Sequence, residues 1–300
     1  MKYLSILVVV LSLCSCGASK NVVQEPSKTE ATTAQQEFVI AVKETDTTAK
    51  VLSVGSSKVD TIPIKKIELK DSLAKEMAEP QLDIKSENTL HQLWDELLGE
   101  HVSPSGKVNY SGFKSDYKTL LSYIEILKAT PPNDNTSKEE KLAYWINAYN
   151  ALTIDLILQN YPLNSIKDIK DPWDQRLWKF GDKWINLNDI EHKILRKMNE
   201  PRIHFAIVCA SESCPILLNE AFTARQLERQ LTAATKAFLQ DNSKNEISEN
   251  EIKLSKIFKW FAKDFKTNGT LIDFIDQYSD VNISAKAKKN YKNYDWSLNN

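Results

Sequence analysis

Residues 138–160 read KEEKLAYWINAYNALTIDLILQN. Ser137 stands immediately before them and Glu140 follows three residues later, the signature of a capping box that opens a helix. Pro162, just beyond Asn160, closes it. From Leu142 to Ile154 the stretch is apolar except for Asn147, Asn150 and Thr153, which recur every three residues as a slowly drifting stripe. Asn is a mediocre helix former, and a buried amide left without a partner costs about 1–3 kcal/mol. These side chains are therefore expected to bond the backbone of a neighbouring loop, either the cysteine turn near residue 210 or the Asp171-Pro172-Trp173 loop. The functional alternative makes Asn147 or Asn150 an imidazole orienter or oxyanion donor beside a Cys–His pair.

Outward from this helix the pattern is mixed. Upstream, Leu90, Leu93, Trp94, Leu97 and Leu98 recur at helical spacing, and residues 116–128 repeat the pattern with Leu120, Leu121, Ile124 and Leu127. Between them, Ser103-Pro104-Ser105-Gly106 reads as a turn and residues 107–110 as a short strand. Downstream, residues 178–187 read as a hairpin turning at Gly181-Asp182, and Asn188 with Glu191 as the cap of a helix to about Met198. Residues 203–209, IHFAIVC, read as a buried core strand. A helix over 223–239, a hairpin over 246–254 and an aromatic helix over 255–265 follow. Helices outnumber strands, and the strands form antiparallel hairpins plus one core strand. This predicts an α+β, helix-rich single domain.

The whole chain has 300 residues, with Lys+Arg 39 against Asp+Glu 40, a formal net charge of -1. That balance excludes a strongly basic nucleic-acid binder. Seven glycines argue against glycine-rich nucleotide loops. Aromatics concentrate after Trp94, whereas residues 17–85 hold only Phe38. The division predicts a polar, disordered tether over 16–85, which cannot bury enough apolar surface to offset chain entropy, and a folded domain over 86–300.

Residues 1–15 carry one lysine and a ten-residue, mostly apolar run from Leu4 to Leu13. This is too short to span a bilayer, which takes about 20 apolar residues, and it suits a signal peptide. Leu13-Cys14-Ser15-Cys16 resembles the lipobox of bacterial lipoproteins, with Cys16 as the lipidated residue. Cys14 would place bulky Leu13 where a small residue is needed. The resemblance implies cleavage before Cys16, acyl chains on its sulfur and amine, and a bacterial envelope location. Gly17 in the following position implies the outer membrane.

Five ordered segments carry a second resemblance: Leu142 to Thr153; Asn188 to His192 with Ile194-Leu195-Arg196; Arg202 to Pro215; Leu254 to Trp260 with Asp264-Phe265; and Tyr294 to Asn299. Together they resemble the domain of unknown function 547 family over about residues 90–300. The resemblance implies a fold but no activity.

Chemistry must then be read from the residues. Cys209 and Cys214 are the cysteines outside the leader region. In an oxidising compartment they can pair as a disulfide, or remain inert. Alternatively one is a nucleophile at the exit of the core strand, preferably Cys214 because it lies in the loop before Pro215. His192 or His204 would then be the base. His204 stands five residues before Cys209, so on a strand the two would face opposite sides. Cys-x4-Cys with His192 and His204 has no regular metal-ligand spacing, so neither metal nor cofactor is expected. His91 and His101 read as surface residues. Arg202 with His204 reads as a salt-bridged edge or an anion patch. The sequence lacks a P-loop, a G-x-S-x-G elbow and an H-E-x-x-H motif. Two functions remain: an envelope protein that binds a partner or small ligand in the cleft between the asparagine helix and the cysteine segment, or a cysteine-dependent hydrolase or acyltransferase of Cys-His-Asn type.

Overall fold

The computed structural model describes residues 84–300, with side chains from residue 89. The leader 1–15, Cys16 and the tether reading over 16–85 lie outside the described residues, apart from the last two positions of that span. No helix among the described residues is long and apolar enough to cross a membrane.

The architecture is helix-rich α+β. Helices α1 (Ile84–His101), α2 (Tyr110–Ser115), α3 (Tyr117–Ala129) and α4 (Lys138–Asn160) come first. The hairpin β1 (Trp178–Phe180) and β2 (Lys183–Ile185) follows, then α5 (Leu227–Gln240). Strands β3 (Glu246–Ile247) and β4 (Glu251–Leu254), short helices α6 (Ile257–Trp260) and α7 (Leu271–Asp276), and strand β5 (Lys288–Tyr291) complete the order. β1 and β2 pair antiparallel, with Lys179 opposite Trp184. β3 is antiparallel to β4, and β4 parallel to β5, in a small three-stranded sheet.

Helix α4 is the centre. Its capping box is formed as expected, with Glu140 N–H donating to Ser137 Oγ and Ser137 N–H to Glu140 Oε2. From Leu142 to Leu158 every side chain except Trp145 is buried. A helix with side chains buried on nearly every face must be enclosed by other elements, and α1, α3 and the segments after Ile185 enclose it. A second core packs Phe205, Phe238, Phe258, Phe265 and Phe274 together.

Asn150 explains why residues 203–209 are not a strand. Pro201–Phe205 is a 3-10 turn that continues through Ala206 and Ile207, and the chain then reaches Cys209 without a ladder partner. The Asn150 amide donates to the Ala206 carbonyl at 2.9 Å and accepts from Val208 N–H at 2.9 Å. One side chain thus satisfies the two backbone groups that a neighbouring strand would otherwise take. A short apolar run carries no periodicity that separates a buried turn from a strand. Asn147 does the same one turn earlier, pairing with both the carbonyl and the N–H of Phe222 at 2.7 and 2.9 Å.

Other expectations are corrected. Asn188 makes no side-chain cap; Asn186 accepts from Asp189 N–H instead, and residues Asp189–Ile194 form a π-helical turn followed by a 3-10 turn, Leu195–Met198. The aromatic helix after Ser255 breaks into α6 and a 3-10 turn, Asp264–Lys266. The strand expected at 107–110 reduces to a single bridge between Val102 and Val108, since Tyr110 already begins α2 behind an Asn109 cap. His91 and His101 are buried, each satisfied through one ring nitrogen by a partner, Tyr123 and Asp116 respectively, at 2.7 Å.

The clamp leads to a stability prediction. Asn150→Ala leaves the Ala206 carbonyl and the Val208 N–H buried and unpaired. We expect a loss of about 2–4 kcal/mol in urea unfolding. A loss below 0.5 kcal/mol would show that the clamp does not hold this segment.

Candidate functional site

The path from α4 to the π-helical turn, the 201–209 segment, α6 and the C-terminal residues converges on one pocket of about 230 Å³. Its polar floor is Glu191, His192 and His204; its walls are the rings of Tyr149, Trp173, Trp260, Phe261, Tyr294 and Trp296; Cys209, Cys214 and Pro215 close one side.

The floor is a charge cluster held by one ion pair. Arg196 grips Asp264 with two parallel bonds, Nε to Oδ2 at 2.6 Å and one NH2 nitrogen to Oδ1 at 2.8 Å. Its remaining terminal nitrogen lies 3.2 Å from His192 Nδ1. His204 Nε2 sits 2.9 Å from the same Asp264 oxygen, which fixes the imidazole, and its Nδ1 faces Glu191 Oε1 at 4.0 Å. His192 Nδ1 is also 4.0 Å from that Glu191 oxygen. The His204 ring stacks on Phe261 with centroids 4.0 Å apart.

Burial sets the protonation states. It pushes the Glu191 carboxyl up to about 7, with Arg196 and Tyr149 opposing the rise and Asp264 adding to it. Burial pulls His204 down despite Asp264, and burial with the Arg196 charge pulls His192 down. For Asp264 burial acts upward, but Arg196 and His204 outweigh it and hold the carboxylate well below its ordinary range. The cluster at neutral pH is thus one closed ion pair, two neutral imidazoles and a carboxyl poised between its two forms. Glu191 stands on the π-helical turn, whose wider winding is a frequent feature of functional sites.

Cys209 and Cys214 form a disulfide. The turn between them has Ala210 in the left-handed region at φ 56°. Around the sulfurs lie the hydroxyls of Ser211, 3.2 Å from Cys209 Sγ, and Tyr294, 3.2 Å from Cys214 Sγ. Among the described residues no hydrogen bond joins either sulfur to His192 or His204. The sulfurs bonded to each other offer no thiolate, so the structure does not assemble the Cys-His pair considered from the sequence. Nor do Asn147 and Asn150 reach an imidazole: their amides are occupied by backbone at Phe222, Ala206 and Val208. Arg202 is a salt-bridged edge, bonded to Glu200 and Glu228.

The C-terminal residues finish the wall. Glu212 N–H donates to the Ser297 carbonyl at 2.8 Å and Ser213 N–H to that of Asp295 at 3.2 Å. Ser213 Oγ accepts from Asp295 N–H. This lacing to the cysteine turn brings Tyr294 and Trp296 over the pocket, with Trp260 against both. Glu100, His101 and Asp116 also bring ligand-type atoms within 4.8 Å of one another, away from the pocket. There the imidazole Nε2 is already engaged by Asp116 at 2.7 Å.

Residues 133–239 match the family model described as "Protein of unknown function, DUF547". This stretch is a DUF547 segment. It is narrower than the span of about 90–300 suggested by the five sequence blocks. No curated protein and no solved structure matches the chain. The DUF547 segment supplies α4, the π-helical turn with Glu191 and His192, His204 and both cysteines. Asp264, Trp260, Phe261, Tyr294 and Trp296 lie outside it. Sequence reasoning found the two histidines and the cysteines. It missed Glu191, taken as a capping residue, and the aromatic walls, although all of them but Trp173 fall inside or beside segments already noted for their order.

The sign of the Glu191 effect is open to measurement. An acid whose value rises on folding binds its proton more tightly in the folded state. Its stabilising contribution is full below the ordinary value of 4.5 and is lost as pH rises through about 7. Glu191→Gln, which cannot ionise, is therefore expected to gain on the natural protein by about 3 kcal/mol between pH 4 and pH 8. Parallel urea curves at the two pH values would refute the assignment.

Proposed function

We propose that this chain is a ligand-binding protein of the bacterial cell envelope. Lipid on Cys16 anchors it to a membrane, the outer membrane by the reading of Gly17, and residues 16–85 serve as the spacer. The domain binds a small ligand in the cleft between α4 and the cysteine turn, or docks an envelope partner through it. Nucleic acid is not its partner, given a net charge of -1.

One observation carries the binding reading. A pocket lined by six aromatic rings surrounds a buried carboxyl, while the two cysteines beside it are tied to each other. Aromatic walls with a few convergent polar groups are the usual composition of a ligand site. Trp260, at the rim, is half exposed and gives a ligand an entry face. A cysteine enzyme would instead need a free sulfur beside an imidazole.

Two measurements test the proposal. Treating the folded, unreduced full chain with an alkylating thiol probe should leave Cys209 and Cys214 unlabelled; labelling there, together with a hydrolytic or acyl-transfer activity lost in Cys214→Ser, would replace binding with thiol catalysis. Cys16→Ser should move the protein from the membrane fraction to the soluble fraction, and continued membrane association would overturn the anchor.

A further inference from the structure

The pocket floor has an unbalanced charge. Arg196 and Asp264 cancel in their two-bond pair, and the guanidinium also lies 5.2 Å from the Phe261 centroid, on a ring whose other close neighbour is His204. His192 and His204 are neutral. When Glu191 ionises, a hydrogen bond from Tyr149 and the nearby Arg196 favour its charge, but Arg196 is already paired with Asp264, so the cluster keeps a net negative charge; Tyr149 and Tyr294 stay protonated because burial raises them both. The walls around this negative charge are aromatic rings, whose faces carry a negative quadrupole. The chain itself shows how one of these rings is used: the Lys167 ammonium lies over Trp296, 4.7 Å from its centroid.

Resting on the reading that the pocket binds a ligand, we infer that it is an aromatic cage for an alkylated ammonium head group, held against the Glu191 carboxylate by Trp260, Tyr294, Trp296 and Tyr149. A cation over aromatic faces is stabilised most where water is excluded. An alkylated ammonium matches this site because its methyl groups bury apolar surface and ask for no hydrogen bonds. The volume of about 230 Å³ falls below the roughly 300–1,000 Å³ of sites for drug-sized ligands, so the occupant is the size of a head group. A cation beside Glu191 also favours its charged form. Binding near pH 7 therefore releases a proton, and affinity strengthens as pH rises from 5 through 7 and levels off above it.

The test is titration calorimetry on the full-length folded protein, with choline chloride, its uncharged isostere 3,3-dimethylbutan-1-ol, and N-acetylglucosamine as a neutral sugar. Choline should bind at least tenfold tighter than the isostere at pH 8. It should bind about tenfold or more weakly at pH 5 than at pH 8, with proton release visible as a buffer-dependent heat near pH 7. Glu191→Gln should erase the advantage of choline over the isostere, and Trp260→Leu should weaken both. The comparison of ligands and of pH needs no variant and stands if either variant fails to fold. Equal binding of choline and its isostere, or binding of the sugar alone, overturns the cation cage and leaves the ligand-binding reading intact. Absence of binding by all three overturns the cage as well, and the binding reading falls with it only where the thiol test also labels the cysteines and finds an activity lost in Cys214→Ser.

Discussion

The Asn150 carboxamide holds the backbone at Ala206 and Val208 through two bonds of 2.9 Å, one in each direction. That pairing is the constraint on which the rest of the site depends. It lets an irregular, apolar segment lie against the central helix without a ladder of strands, because a buried peptide group must find a partner somewhere. The segment so held carries His204 at one end and Cys209 at the other. Asn147 fixes the chain at Phe222 by the same device. Two amides on one helix face therefore position much of what surrounds the pocket, each donating one hydrogen bond to the backbone and accepting one from it.

From that frame the electrostatics follow. A segment pressed against a buried helix puts His204 out of water, and burial holds it neutral. The Arg196–Asp264 pair stands at the edge of the cluster and absorbs each other's charge. Glu191 is left as the carboxyl in the floor that has a hydrogen bond from Tyr149 but no cation of its own. Its value near 7 is a consequence of position. The side chain sits where it does because the chain winds wide at Asp189–Ile194.

Much of the scaffold was legible in the sequence for identifiable reasons. Ser137 and Glu140 mark the start of α4 because their capping bonds are local. Gly181-Asp182 places the β1–β2 hairpin turn because tight turns have their own residue requirements. The 203–209 stretch was misread because its partner is an amide more than fifty residues earlier, and no local pattern reveals such a pairing. The same limit hid the pocket. Glu191 looked like a helix cap from its spacing to Asn188, and Trp260, Tyr294 and Trp296 carried no signal beyond their place in the resemblance segments until distant parts of the chain brought them together. The cysteine pair was legible as a possibility, since Cys-x4-Cys can close on itself, but not as an outcome.

The lacing of residues 295–299 to the cysteine turn and to the start of α2 has a consequence for how the pocket is closed. Asn299 receives a hydrogen bond from the Tyr110 hydroxyl at 2.7 Å, and its carbonyl accepts from Val108 N–H. Two of the pocket's rings, Tyr294 and Trp296, are thus seated by contacts that join residues nearly two hundred positions apart. The wall closes only when α2, the cysteine turn and residues 294–299 have come together, whereas the charged floor is built over much shorter separations. Loosening that lacing would leave a folded scaffold with its binding face ajar.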